Sequence, residues 1–497
     1  MQILEVVIYN KQSQKVHRGL AVLGILLGMG ALAASWSSIN MSLAAIQMDL
    51  SASVLQLQWM MNCYGISICT ALLVIGKLGD AYGRKLFYIS GLLGLILACL
   101  IAGFANSMIL VITAMGIFGL SAASVLSLSQ ALAVHQFPEN KKSQAIALWA
   151  TVTSVASSLG PLLGGVMIRY LSWRWIFFIN VPLMLVALLL VLYFVEKEKT
   201  YSRYCDWQGV ILLGLIVGSC ASGIMQGPYS GWLSWKVLGL FFAGFLALIG
   251  FIYHEKNTQE PLFHPKVFAN PEFLFSSICN GFLIGFVWAV FFFFPLYMQN
   301  QLQLSALEAG GMMMLITLPV ALLSVGVANM YEKIGAKPLL CTGFVVLSSA
   351  VFFQSQLTIY ASFILIGLGW VLTWGPSASL ALSSLPHKMA GMASGMFMTL
   401  QEIGGVIGLA IAGVVFRMGT KSFLMPYMPV LQESLQEHAD SLVSDPAAAK
   451  KFLGEDAPLL ILLQQGFSFG YSRLLIFLAL FALLAAACSL LIPKKNH

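Results

Sequence analysis

The sequence predicts an all-α integral membrane protein of fourteen transmembrane helices: two pseudo-symmetric six-helix bundles with two helices inserted between them. Three observations carry this reading. Of 497 residues, 59% are hydrophobic and 9% charged, against roughly 25% charged in a typical soluble domain, and the mean hydropathy is +0.87. The apolar residues are gathered into fourteen runs of about membrane length. The two halves of the chain repeat short polar motifs at a nearly constant offset.

The runs fall near 18–46, 56–76, 86–105, 108–134, 143–168, 174–196, 207–226, 235–253, 272–297, 304–328, 338–355, 359–384, 389–416 and 472–492, each near the roughly twenty residues that cross a bilayer as a helix. Helices are required, because open strands would leave backbone groups unpaired in lipid. With the N-terminus cytoplasmic, cytoplasmic segments hold eighteen of the 26 Lys and Arg residues and the opposite segments eight, as the positive-inside rule asks. An even number of spans returns Lys494 and Lys495 to the cytoplasm. The first run is too long for the apolar core of a cleaved signal. A multi-pass protein of the plasma (inner) membrane with both termini cytoplasmic is therefore expected.

Several classes are excluded. The net charge of +7 is dispersed over loops, which suits an anionic leaflet and not nucleic acid. Eight cysteines show no ligand spacing, so no disulfide, metal or cofactor is expected. No Walker loop is present to bind ATP, which leaves an ion gradient as the energy source. A membrane enzyme or receptor, the alternative of another class, would need a catalytic constellation, yet all seven histidines lie outside the runs.

The repeat is read from two alignments. "GKLGDAYGRK" (76–85) lies on "ANMYEKIGAK" (328–337), pairing Asp80 with Glu332, Gly83 with Gly335 and Lys85 with Lys337 at an offset of 252. "FPENKKSQA" (137–145) lies on "LPHKMAGMA" (385–393) at 248, which brings Gly160 onto Gly408. Repeats about an axis along the membrane normal are a transporter device. The expected units are 1–200, an added helix pair at 201–256, and 257–497.

Two motifs concentrate the specific residues. The loop after span two gathers Gly76, Asp80, Gly83, Arg84 and Lys85. Its glycines permit a tight turn. Asp80 can pair with Arg84 and face a neighbouring helix N-terminus, forming a gating latch that holds in one state and breaks in another; the plainer alternative is a topology signal. In span five, Gly160 and Gly164 form a small-xxx-small face, with Pro161 loosening the backbone and Gly165 beside it. Close packing and gating are compatible readings of that face.

Gly76, Leu78, Asp80, Gly83, Arg84 and Lys85 fit the signature between spans two and three of the major facilitator superfamily, which this chain resembles. "GPLLGGVMIRYLSWRWIFFINVP" (160–182) resembles the span-five antiporter motif and the following span-six start of the fourteen-span drug:proton antiporter branch. The resemblance extends over essentially the whole chain, through Trp59, Tyr64, Asp206, Trp207, "GPYSGWLS" (227–234) and "LEAGG" (307–311). It implies the major facilitator fold, proton antiport by alternating access, export of hydrophobic or amphipathic small molecules, and an extracellular seal at Gly160–Gly165. The chain departs from the branch twice: Ser35 stands where an acid is common in span one, and Met115 where span four carries an Arg. A dedicated exporter of one metabolite, such as a siderophore, is the runner-up.

The expected partners are a small-molecule substrate, protons and the lipid bilayer. The substrate cavity is expected among Ser35, Asn40, Asn62, Tyr64, Gln130, Asn280, Trp288, Trp374 and Gln401, since apolar walls with sparse polar groups suit amphipathic ligands. Each has a plainer reading as a backbone-bonded hydroxyl or an interface anchor. Glu402 is the clearest acid inside any span. An ionised acid at the bilayer centre is costly on insertion scales, so Glu402 is the proton-coupling candidate; the alternative is a wetted structural acid near the cytoplasmic third. The last outside loop, 417–471, has apolar residues at helical spacing in "VLQESLQEHADSLV" and "PLLILLQQGFSFGY". Helices lying on the membrane are expected there, with contact to a periplasmic adaptor as the alternative.

Overall fold

The computed structural model describes residues 2–138, 141–196, 206–258, 263, 265–354, 358–386, 390–427 and 458–493. The first half comprises α1 (Gln2–Ile39), continued by α2 (Leu43–Asp49), then α3 (Val54–Tyr82), α4 (Arg84–Gly103), α5 (Met108–His135), α6 (Lys142–Tyr170), α7 (Trp175–Phe178) and α8 (Asn180–Phe194). The pair α9 (Trp207–Ser230) and α10 (Trp235–Asn257) follows. The second half comprises α11 (Pro265–Phe268), α12 (Pro271–Asn300), α13 (Ala306–Ile334), α14 (Ala336–Phe352), α15 (Ile359–Ser383), α16 (Ala390–Leu424) and α17 (Pro458–Leu490). Among the described residues, thirteen helices are long and apolar enough to cross a membrane; the fourteenth predicted span is the shorter α14.

The halves repeat in atomic detail. Ser53 and Ser305 both open their helices with a capping box, reciprocated by Gln56 and Glu308. Gly83 and Gly335 both break the chain at positive φ, 106° and 77°, a conformation that glycine adopts without a Cβ penalty. Lys85 then donates to the carbonyls of Leu192 and Val195 at the end of α8, and Lys337 to those of Leu490 and Ile492 at the end of α17. All three pairs lie 252 residues apart.

Small residues set the closest helix approaches. At Gly160 a Cβ would overlap Ser37 and the Ala34 carbonyl of α1, and at Gly164 the Ser38 carbonyl. In the second half, Gly404 and Gly408 of α16 meet Gly281 and Gly285 of α12 backbone to backbone. Here the drive is van der Waals packing, which small residues at a four-residue spacing permit. The aligned residues Gly160 and Gly408 thus do the same work, each joining the fifth helix of its bundle to the first.

Trp173 and Arg174 hold the junction of α7 with the rest of its bundle. Both donate to Asp49 Oδ2 at the end of α2, at 3.0 and 2.6 Å, and Arg174 also reaches the Ala105 carbonyl at 2.9 Å. In the inserted pair, Asp206 caps α9 through the Gly209 N–H at 2.9 Å and lies 2.6 Å from His254 Nε2 of α10.

One expectation is corrected. Residues 458–471 are not a helix on the membrane surface; they are the first four turns of α17, with Leu463, Phe467 and Tyr471 buried. Their apolar spacing serves packing against α16, where Phe467 meets Phe416 and Gly466 meets Leu424. Because α16 runs to Leu424, the loop expected at 417–471 begins later and ends earlier. The stretch 430–443 lies outside the described residues.

Candidate functional site

The two halves meet along two seams. α3 and α16 are in contact from Gln58 against Gly413, through Gly65 against Val406, to Leu73 against Gly395. α6 and α13 behave differently. From Arg169 and Ser305 to Ser158 and Thr317 they are packed, with Gly165 against the Ala306 carbonyl and Gly310 against the Pro161 carbonyl. Ser158 and Thr317 exchange hydrogen bonds with each other's carbonyls at 3.2 and 3.3 Å. Among the described residues, the hydrogen bonds and glycine contacts between α6 and α13 stop at Ser158 and Thr317.

The packed end lies opposite the basic loop at 76–85. Cross-bundle bonds reinforce it: Gln299 Nε2 to the Met41 carbonyl at 3.2 Å, and Asn300 Nδ2 to Gln47 Oε1 at 3.0 Å. A central cavity of about 210 Å³ begins where α6 and α13 part, lined by Thr153, Ser154, Ser157 and Ser158 on one side and Thr317, Val320 and Ala321 on the other.

Aromatic rings make the rest of the wall. Trp288 of α12 lies in a slot between Gly65 of α3 and Gly405 of α16, both within 3 Å of it at the Cβ position. It stacks on Tyr64 with centroids 5.8 Å apart and approaches Trp36 of α1 at 6.3 Å. Phe291 bridges Trp36 at 5.4 Å and Trp370 at 5.8 Å. The Trp370 Nε1–H is buried without a partner among the described residues, a donor placed in the wall of the cavity.

Glu402 and Gln401 complete the lining. Glu402 is 7% exposed. Its Oε1 accepts from Gln401 Nε2 at 3.2 Å, Gln401 Oε1 accepts from Asn280 Nδ2 at 3.1 Å, and Asn280 Oδ1 accepts from Ser377 at 3.4 Å. The acid therefore ends a polar chain that crosses α16, α12 and α15.

Of the expected cavity residues, Tyr64, Trp288, Trp374 and Gln401 line this cavity and Asn280 lies one bond behind it; the proton-coupling candidate Glu402 is in the lining too. Ser35 turns to its own helix, bonding the Ala31 carbonyl at 2.6 Å, while its neighbours Trp36 and Ser37 face the cavity. Asn40 bonds the Trp36 carbonyl, and Asn62 bonds Met225 of α9. Gln130 is half-buried near the end of α5 and outside the lining. The hydroxyls of α6 were missed. Their signal was present in "TVTSVASS" (151–158), where pairs recur one helical turn apart immediately before Gly160.

The stretch expected as a loop is mostly helix: Gly76 and Asp80 lie in the last turns of α3, Gly83 alone forms the turn, and Arg84 and Lys85 open α4. Gly76 has open space at its Cβ position, and Lys85 bonds the end of α8 in its own bundle. The side chain of Asp80 lies outside the described residues.

A sealed end, a parted end and a lined cavity between two matching halves are the architecture of a membrane transporter. The chain belongs to the Major Facilitator Superfamily, whose model matches residues 25–204 and 207–409. It is 27% identical over 432 residues to the Multidrug resistance protein Stp of Mycobacterium tuberculosis, covering 84% of this chain and 80% of that one. It is 30% identical over 416 residues to the Drug efflux pump JefA of the same organism, covering 80% of each. To the Multidrug transporter protein MdtP of Bacillus subtilis it is 25% identical, covering 88% of this chain and 82% of that one. Among solved structures, it is similar to the inward-facing, unoccupied bacterial homologue of the human lysosomal transporter Spinster, with a TM-score of 0.68 at 14% identity, over 96% of this chain and 97% of that one. That likeness concerns the fold.

Proposed function

We propose that this protein exports amphipathic small molecules of the multidrug type across the plasma membrane, in exchange for protons, by alternating access. The observation that carries the reading is Glu402, a buried acid in the wall of an aromatic cavity at the seam of the two bundles. Aromatic faces attract flat apolar and cationic groups. The carboxylate offers such a molecule its one opposite charge, and a proton can take that molecule's place. Competition for Glu402 then couples the two flows, since each ligand is favoured where the other is released. Names of relatives such as Stp, JefA and MdtP support the multidrug reading.

In this mechanism the present state faces the side of the basic loops, taken as cytoplasmic by the positive-inside rule. The Ser158–Thr317 and Gly165–Ala306 contacts form the outer seal. Rocking the bundles opens that seal while α6 and α13 close below it. Pro161 lacks the N–H that would bond the Ser157 carbonyl, so α6 has a soft point at the level where the seal ends. The loop at 76–85, with Asp80 and Arg84, acts as the latch of one state.

The departure at Ser35 and Met115 favours one rival, a dedicated exporter of a single metabolite. Both readings are separated by a deletion strain profiled against dyes, quaternary amines and its own secreted metabolites. The multidrug reading expects broad hypersensitivity. Unchanged sensitivity to every toxic compound, with one metabolite retained in the cell, contradicts it.

A further inference from the structure

A second polar cluster lies away from the cavity, where α3, α9 and α16 pack on one another. Each helix brings two positions one turn apart: Gln58 and Asn62 from α3, Met225 and Tyr229 from α9, Gly413 and Arg417 from α16. Asn62 Nδ2 donates to Met225 Sδ at 2.9 Å. The Arg417 guanidinium lies on the ring of Tyr229, with Cζ 3.0 Å from the centroid. The Gln58 amide is seated against Gly413, where any Cβ would overlap it. Helical side chains lean towards the N-terminus of their helix. Arg417 therefore leans towards the turn of Gly413 on which Gln58 rests.

These groups are buried and incompletely bonded. Gln58, Asn62 and Arg417 are 3%, 0% and 9% exposed. Among the described residues, Gln58 Nε2, Arg417 Nη1 and Asn62 Oδ1 have no hydrogen-bond partner. Two of the three are donors, and one donor carries a full charge. Among the described residues no carboxylate pairs with Arg417. A ring face attracts the guanidinium but does not neutralise it. A cation held in a membrane span without a counter-charge is costly, and such groups mark ion or substrate sites.

We propose that Arg417 and Gln58 form a binding site for a small monovalent anion of chloride size, at the junction of α3, α9 and α16. Its ligand accepts from both free donors and supplies the charge that Arg417 lacks. The site joins a helix of the first bundle to one of the second through the inserted pair, so an occupied site holds this seam together. It is independent of the cavity chemistry at Glu402.

The test is thermal unfolding of the purified full-length protein in detergent, titrated with sodium chloride against sodium gluconate at equal ionic strength. Wild type is expected to show a saturable rise in midpoint with chloride. Gln58→Leu and Arg417→Gln are each expected to raise the half-saturating chloride concentration about tenfold or more. If Arg417→Gln does not fold, Gln58→Leu answers alone, because it retains the charge and removes one donor. Equal midpoints in chloride and gluconate for wild type overturn the proposal, as does an unchanged half-saturation in the variants that fold.

Discussion

Lys85 and Lys337 stand 252 residues apart and perform the same task, each donating to two carbonyls at the C-terminal end of the last helix of its own bundle. Four terminal carbonyls of any helix lack intrahelical donors, and a cation there also meets the negative end of the helix dipole. The chain thus closes each bundle with a lysine that follows a left-handed glycine by two residues.

Replacing either lysine by alanine is expected to destabilise the protein by about 1.5–3 kcal/mol, the range for hydrogen bonds to a charged group. Both variants are expected to shift the thermal midpoint by similar amounts. A shift confined to Lys85→Ala would show that the two halves do not share this closure.

Gly408→Ala should cost far more, because its Cβ would meet the backbone of Gly285 and neither helix can yield without separating. A sharp loss of folded protein is expected in detergent extracts. Gly76→Ala has open space around its Cβ in this state, so its fold is expected to be intact. Transport distinguishes the two readings of the loop: slow turnover in folded Gly76→Ala supports a latch used in another conformation, whereas wild-type turnover leaves it a topology signal.

Trp288 is held between Gly65 and Gly405 and forms the floor of the aromatic wall. Trp288→Ala is expected to weaken binding of an aromatic substrate by roughly tenfold or more, as loss of a buried ring implies. Trp370→Phe keeps an aromatic ring but removes the N–H, which has no partner among the described residues, together with part of the indole's area. It should weaken substrates that carry a hydrogen-bond acceptor more than those that do not, as read by direct binding titrations. Equal weakening of both groups would remove that role from Trp370.

The spans and the repeat were readable because membrane length and a fixed offset survive in a linear string. Ser53 and Ser305, Gly83 and Gly335, and Lys85 and Lys337 all keep the spacing of 252. Part of the cavity wall was readable where residue type alone is unusual in a membrane, as at Glu402 and Gln401. It was not readable where the face of a helix decides. A helix apolar all round carries little angular signal, and neighbours differ by about 100° at 3.6 residues per turn. Ser35 therefore points at its own backbone while Trp36 and Ser37 point into the cavity. Asn62 was similarly assigned to the cavity although α9, an element outside both bundles, takes its amide. The loop boundary at 458 was missed because a helix packed on α16 and a helix lying on lipid share one apolar spacing.

The seal between α6 and α13 yields a prediction for covalent trapping. Ser158 and Thr317 exchange hydrogen bonds. A cysteine pair at these positions is expected to cross-link readily in the resting protein and to stop net efflux, with recovery on reduction. Efflux that continues while the pair is oxidised would show that this contact need not open.

The central claim is that Glu402 couples proton movement to export, and it is tested most directly with Glu402→Gln in proteoliposomes. Two fluxes are measured on the same preparation: substrate efflux driven by an imposed proton gradient, and substrate-for-substrate exchange without a gradient. The amide preserves shape and the bond from Gln401 is adjustable, so exchange is expected to persist near the wild-type rate. Gradient-driven efflux is expected to vanish. Proton-driven efflux at the wild-type rate in Glu402→Gln would contradict the account.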